Sequence, residues 1–214
     1  MAITGFNPSN VSSAIDSVSS AYANIMTALT EKNEKSFVIP MSYVWGSPQA
    51  KKFFSDYQNA ITSMCSEVTT VFRSVVDAMS SAASALATIA GASWGTKELS
   101  AVTRTLDTSS IKEEINGVVG IDQTQAISVA GQLDSILQAV SEGLQEAKSA
   151  VNNSGFVGGE MQSSLISSLG KIESNISDSF SSLKQQAHDA IQETADTYTT
   201  TATNVSSSFD RGAN

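Results

Sequence analysis

The stretch SYVWGSPQAKKFFSDY, residues 42–57, decides how the first half of the chain is organised. Trp45 and Gly46 suit a tight connection between two helices, because Gly tolerates backbone conformations that other residues avoid. Ser47 followed by Pro48 is typical of a helix N-terminus, since Ser caps free amides and Pro fits the first helical turn. The stretch therefore predicts a hinge followed directly by a new helix.

Apolar residues recur every three or four positions on both sides of this hinge, which is the spacing of a helix packed along one face. Asn7 and Pro8 predict the start of the first helix, and a break is expected from Glu31 to Gly46. The second helix is expected to end at one of two stop signals, Gly91 or the Trp94-Gly95 pair. The first stripe comprises Val11, Ile15, Val18, Tyr22, Ile25 and Leu29, and the second comprises Phe53, Tyr57, Ile61, Met64, Val68, Val71, Val75, Met79, Ala82, Leu86 and Ile89.

The second half of the chain repeats this order of elements. Residues 96–120 predict a linker with a short helix, because Ser110 and Glu113 have the spacing of a capping box. Asp122, with Gln three residues later, predicts the start of a third helix, and a break at the sequence GFVGG precedes a fourth. The fourth helix carries an apolar stripe of Leu165, Leu169, Ile172, Ile176, Phe180, Leu183, Ala187, Ile191, Tyr198, Ala202, Val205 and Phe209.

An offset of 112 residues superimposes the apolar positions of the second and fourth helices, and an offset near 115 aligns the first and third. The shared order of elements favours a duplication over a coincidence between unrelated helical pairs. We therefore predict a helical hairpin over 1–95, a linker over 96–120 and a second hairpin over 121–214. The predicted fold class is all-α, with the two hairpins forming an elongated antiparallel four-helix bundle.

Composition excludes several functional classes. One Cys and one His among 214 residues rule out an internal disulfide and a four-ligand structural zinc site. A net charge of −9 argues against binding nucleic acid. The N-terminal sequence MAITGFNPSN has neither a basic region nor an apolar core, so no secretory signal peptide is expected. Residues 121–214 hold four basic and eleven acidic side chains, which suits either a basic partner or solubility alone.

The stretch 42–57 resembles the hinge of the WXG-type family, the small helical-hairpin proteins similar to the early secreted antigenic target. Members of that family are exported by type VII secretion systems. The family pattern has Trp-x-Gly at the hinge, whereas Gly46 here follows Trp45 directly. The second half keeps the spacing but has Phe156 in place of Trp, with Gly158 as the motif glycine. The resemblance covers both hairpins, as two divergent tandem copies.

The resemblance implies a non-enzymatic, virulence-associated protein that is made in the cytoplasm and secreted without a signal peptide. The partners it implies are a secretion ATPase, the helical targeting domain of a toxin or another WXG-type protein. The family export signal resembles Tyr-x-x-x-Asp/Glu, and none of the four tyrosines here has an acid at that spacing. Either a partner supplies the signal or the segment after Tyr198, which includes Phe209, is a divergent form of it.

Four residues stand out as candidate recognition sites: Trp45, Gly46, Phe156 and Gly158. For Trp45 the main interpretation is a plug that fills the open end of the bundle, and the alternative is an exposed contact for another protein. Trp94 is expected to pack back on the bundle. Cys65 is expected to act as a small buried hydrophobic residue and His188 to lie on the surface. No catalytic, cofactor-binding or metal-binding set is predicted.

Two other functions are compatible with these residues. The stretch SSAASALATIAGASW, residues 80–94, is mildly apolar nearly all round, so a membrane-active helical toxin or pore component is the alternative to a secreted partner-binding protein. A structural helical protein of a filament or phage particle is a third possibility. Whether the protein contacts a membrane, and whether its two halves pair with each other or with other chains, stays open at this point.

Overall fold

The computed structural model describes residues 5–157 and 160–212, which are mostly helical, with 77% helix and 4% strand. The chain is therefore all-α, as the apolar spacing predicts. The helices are α1 (Pro8–Thr27), α2 (Ile39–Met41), α3 (Pro48–Ile89), α4 (Gln123–Ala130), α5 (Gln132–Asn152) and α6 (Glu160–Gly212). Four two-residue strands accompany them: β1 (Gly5–Phe6), β2 (Trp45–Gly46), β3 (Gly120–Ile121) and β4 (Phe156–Val157).

Three helices begin at the caps that the sequence predicts. The Asn7 side chain accepts a hydrogen bond from the Asn10 amide at 3.2 Å, and Ser47 Oγ accepts one from the Ala50 amide at 3.0 Å. Asp122 accepts one from the Gln125 amide at 3.0 Å. Each cap satisfies an amide that has no partner within its own helix.

The predicted break after the first helix is wrong in its position. Instead of stopping at Glu31, the chain continues through two π-helical segments, Ala28–Lys32 and Glu34–Val38, into α2. These wider turns place Asn33 in the core, where its Oδ1 accepts a hydrogen bond from the Tyr57 hydroxyl at 3.0 Å. The extra residue in each π turn shifts the apolar period, which is why the sequence suggested a break.

The short helix predicted at Ser110 is also wrong, because residues 92–119 contain no helix. Ser110 Oγ caps nothing: among the described residues it has no hydrogen-bond partner. Glu113 pairs with Lys51 Nζ at 3.1 Å instead of returning to the Ser110 amide. Residues 108–111 form a turn instead, in which the Ile111 amide donates to the Thr108 carbonyl at 3.1 Å, and the side chain of Ile111 is buried in the core.

The long helices share one apolar core. Helix α1 packs against α3 and α5, and α6 packs against the same two helices. Helices α1 and α5 approach each other closely at Gly143, where an added Cβ would lie 2.6 Å from Ile25 Cγ1. The predicted third helix is interrupted by a turn at Gly131, which separates α4 from α5.

The four short strands form two antiparallel pairs, and each pair joins one half of the chain to the other. Phe6 in β1 is opposite Phe156 in β4, and Trp45 in β2 is opposite Ile121 in β3. Strands β1 and β3 each lead into the first helix of their half, whereas β2 and β4 lie between the two long helices of their half. The pairing between halves is therefore reciprocal.

Candidate interaction surface

Trp45 lies in the core, at the point where β2 leads into α3. Its side chain has no exposed surface, and its ring stacks on Phe53 with centroids 5.8 Å apart and meets Phe54 edge-on at 6.3 Å. Its Nε1 has no hydrogen-bond partner among the described residues. The buried position matches the interpretation of Trp45 as a plug, and a role in partner recognition stays a prediction that would require this end to rearrange.

Residues 114–115, near the end of the segment that connects the two halves, pass directly over the backbone of Gly46. A Cβ at this residue would lie 2.7 Å from Ile115 Cγ1 and 2.9 Å from the backbone carbon of Glu114. Because one of these neighbours is backbone, the crossing leaves no room for a side chain larger than hydrogen. The sequence predicts a tight hinge at Gly46. The residue that excludes a side chain there is Ile115, which lies nearly 70 residues further along the chain.

The corresponding place in the second half is less enclosed. Phe156 is half-buried and packs against the core, so the aromatic residue expected there does contribute to packing. Gly155 has a φ of +79°, and a Cβ there would lie 2.8 Å from the Asn10 Cβ. This glycine fixes the close approach of the turn to α1. Gly158 lies outside the described residues.

Residues 92–119, which we call the strap, run along the groove between α1 and α3. Three apolar side chains of the strap are buried: Leu99, Leu106 and Ile111. The half-buried indole of Trp94 packs against the core as the sequence predicts. One signal for the strap is visible in the sequence, namely apolar residues spaced seven and five apart in a polar segment without helical periodicity.

Side chains of both helices hold the strap by its backbone. Ser80 Oγ accepts a hydrogen bond from the Lys97 amide at 2.9 Å, and the Tyr22 hydroxyl accepts one from the Val102 amide at 3.2 Å. Gln58 Nε2 donates to the Leu106 carbonyl at 2.9 Å. Backbone groups that would lack partners in an extended segment are therefore satisfied by helix side chains.

Three ion pairs join the strap to the helices beside it. Lys97 Nζ lies 2.6 Å from Asp16 Oδ1 on α1, Arg104 pairs with Glu31, and Glu113 pairs with Lys51 on α3. In each of the three pairs, the charge on the strap therefore lies beside a charge of opposite sign on the groove. All three pairs are partly exposed, so they contribute little to the free energy of folding. Their main effect is to set the position of the strap along the groove.

The groove between α5 and α6 is bridged by the helices themselves. Glu173 on α6 accepts hydrogen bonds from Ser141 at 3.0 Å and Gln145 at 2.9 Å and pairs with Lys148, all on α5. Burial raises the pKa of Glu173, but these three donors outweigh it, so the pKa lies below its ordinary value. Further along, Lys184 pairs with Asp134 at 2.6 Å.

The C-terminal part of α6 leaves the packed region after Thr194, and from Ala195 to Ser207, the part whose side chains the structure describes, none is buried. Tyr198 is half-buried and lines a groove of about 930 Å³ with α3 residues and the strap, including Phe54, Ile111 and Val119. Beyond it the helix is mostly exposed, and Val205 keeps 51% of its surface. Phe209 belongs to α6, but its side chain lies outside the described part.

The two residues with reactive side chains occupy unrelated positions. Cys65 is buried on α3, and burial raises the pKa of its thiol to about 11. His188 lies on the exposed face of α6, as expected. Within the described ranges no group of three or more His, Cys, Asp or Glu side chains could hold a metal ion. No helix within those ranges is both long enough and apolar enough to cross a membrane.

Comparison with known proteins returns no relative. No protein-family model, no curated protein and no solved structure matches this chain. The resemblance to the WXG-type family therefore depends on the hinge sequence and the order of the helices alone.

Proposed function

We propose that the protein is a non-enzymatic partner-binding component of a type VII secretion system, built as a covalent pseudo-dimer of two WXG-like hairpins. Residues 1–95 and 121–214 form the hairpins, and their long helices pack as an antiparallel four-helix bundle. One observation carries this proposal: each half pairs its hinge strand with the N-terminal strand of the other half.

The strand register supports a duplication. Gly5-Phe6-Asn7 and Gly120-Ile121-Asp122 both place a glycine and an apolar residue directly before a capping residue, at the offset of 115 that the helices share. The strand partners of these residues are also equivalent. Phe6 is opposite Phe156, the hinge aromatic of the second half, and Ile121 is opposite Trp45, the hinge aromatic of the first half. Two unrelated hairpins would have no reason to pair with this internal symmetry.

The surfaces that suit a protein partner lie at two places. The first is the end of the molecule that contains Trp45, Gly46 and the groove lined by Tyr198. The second is the exposed C-terminal part of α6 beyond that tyrosine. Because Trp45 is buried, its role in this proposal is to fix the shape of the end rather than to touch the partner.

Export in the native host tests the proposed function. Deletion of the secretion ATPase should remove the protein from the culture medium while its amount inside the cell stays the same or rises. A chain that ends after Thr194 keeps all the buried side chains that the structure describes in α6 and should fold, yet fail to be exported. Unchanged extracellular protein in the ATPase deletion would contradict the proposed function.

A further inference from the structure

Between Lys97 and Leu106 the strap contains neither helix nor turn, and it contacts the helices on both sides. Lys97 and Arg104 are seven residues apart, which spans about 23 Å in an extended chain. Their partners, Asp16 and Glu31, are fifteen residues apart, which spans about 22 Å of helix. The two spans agree to within the reach of these side chains, so Asp16 and Glu31 can both pair with one segment of extended chain.

The α3 side has the same property. The strap contacts Ser80 through Lys97 and Gln58 through Leu106. Those 22 residues of α3 span about 33 Å. The nine residues of the strap between the same two contacts span about 30 Å when extended. The strap therefore runs parallel to α1 and antiparallel to α3, with its backbone fixed at both contacts.

The second half shows that a hairpin of this kind does not need a strap. The groove between α5 and α6 is bridged by direct contacts from Glu173 and Asp134 to the opposite helix. In the α1–α3 groove, Asp16 and Glu31 instead direct their carboxylates to the strap. In the first hairpin the carboxylates of Asp16 and Glu31 are therefore both paired with basic residues of the strap.

We propose that the α1–α3 groove is a docking surface for an extended segment of another protein, and that the strap occupies it within the same chain. The segment that fits carries two basic residues seven apart and apolar anchors corresponding to Leu99, Leu106 and Ile111. Charge complementarity with Asp16 and Glu31 selects the basic pair. This inference does not depend on the type VII assignment, because it follows from the groove alone.

A partner segment binds by exchange with the strap. The strap is held by three buried side chains, by hydrogen bonds to helix side chains and by partly exposed ion pairs, and none of these pairs it with the helices as a strand. The strap remains tethered at both ends, which gives it a high effective concentration of about millimolar in its own groove. A free segment of equal intrinsic affinity therefore binds weakly until the strap is loosened.

A labelled synthetic peptide with the sequence of residues 94–115 tests the proposal. In the full-length Leu106→Asp variant the strap loses its most deeply buried anchor, and the peptide should bind at least about a hundredfold more tightly than to the unaltered protein. A peptide that carries Leu106→Asp itself is the matched control and should not bind. Equal binding of the two peptides to the variant would overturn the proposal.

A second variant tests the proposal even if the Leu106→Asp variant does not fold. A protease site inserted at the exposed Asn116-Gly117 turn releases one end of the strap without changing any groove residue. The cut protein, whose strap is tethered at one end only, should bind the peptide more tightly than the uncut protein, and Asp16→Lys should weaken binding to the cut protein about threefold to tenfold. Failure of the cut protein to bind, or a dimer formed by strap exchange between copies in place of peptide binding, would overturn the proposal.

Discussion

Gly46 and Ile115 touch across the boundary between the hinge and the strap, so closely that a Cβ at residue 46 would lie 2.7 Å from Ile115 Cγ1. The contact fixes the last turn of the strap over the Trp45 end of the molecule. It also explains why a glycine follows Trp45 directly. The glycine is required by a segment that belongs to neither hairpin.

Gly46→Ala should therefore lower the free energy of unfolding by about 1–3 kcal/mol, because the added methyl group meets backbone as well as a side chain. Gly120→Ala is the matched control: Gly120 is the strand partner of Gly46, and a Cβ there has no neighbour within 4 Å. Urea unfolding followed by circular dichroism measures both. Equal destabilisation by the two substitutions would contradict the close crossing.

Gly143→Ala should be unfavourable although alanine is the better helix former. The methyl group would lie 2.6 Å from Ile25 Cγ1 and 3.3 Å from the Ala21 carbonyl oxygen, where α1 crosses α5. Gly170→Ala on α6 provides the comparison, since its Cβ would meet only Lys148 Nζ at 4.0 Å. We expect Gly170→Ala to stabilise by about 0.5–1 kcal/mol, and Gly143→Ala to be at least about 1 kcal/mol less stable than that control.

Trp45→Ala should cost about 3–5 kcal/mol, because it empties a buried site lined by Phe53 and Phe54. Trp45→Phe should cost about 1–2 kcal/mol, since the corresponding position of the second half already holds Phe156 and the indole nitrogen has no described partner to lose. Thermal unfolding of both variants checks the order. A larger loss from Trp45→Phe than from Trp45→Ala would contradict the plug interpretation.

The Glu173 network predicts a defined pH dependence. The pKa of Glu173 is lower in the folded protein than in the unfolded chain, so its contribution to stability is present above the unfolded pKa of about 4.3 and is lost as pH falls through the folded pKa. Glu173→Gln should destabilise at pH 7, and the difference from the unaltered protein should shrink below about pH 4. Glu146→Gln is the control and should show no such trend, because that side chain is exposed on α5.

Cys65 should react slowly with thiol reagents while the protein is folded. Burial raises the pKa of its thiol to about 11, so the reactive thiolate is about 0.1% of the population at pH 8, and access is restricted as well. Alkylation followed by mass spectrometry should show rapid labelling only in urea. Complete labelling of the folded protein within minutes at pH 8 would contradict the buried placement.

The local signals in the sequence predict much of the helical structure. The caps at Asn7, Ser47 and Asp122 and the end of α3 before Gly91 each depend on a few neighbouring residues, and all are found where the sequence puts them. The continuation of the first helix to Met41 was missed because a π turn inserts residues that break the apolar period.

The strap and the reciprocal strands could not be predicted because both depend on contacts between distant residues. Leu99, Leu106 and Ile111 follow no helical or strand period, so only the groove beside them explains their burial. Two-residue strands carry almost no pattern of their own, and their pairing becomes visible only when the two halves lie together. For the same reason Gly143 reads as an ordinary helix glycine until Ile25 is placed against it.

The two halves of the chain pair with each other through the strands at their hinges. Nuclear Overhauser effects between backbone protons of Trp45 and Ile121, and of Phe6 and Phe156, measure this pairing directly in the full-length protein. We predict both sets, unchanged in intensity when labelled protein is diluted into unlabelled protein, because the contacts lie within one molecule. Absence of either set, or its loss on dilution with unlabelled protein, would contradict the internal pseudo-dimer.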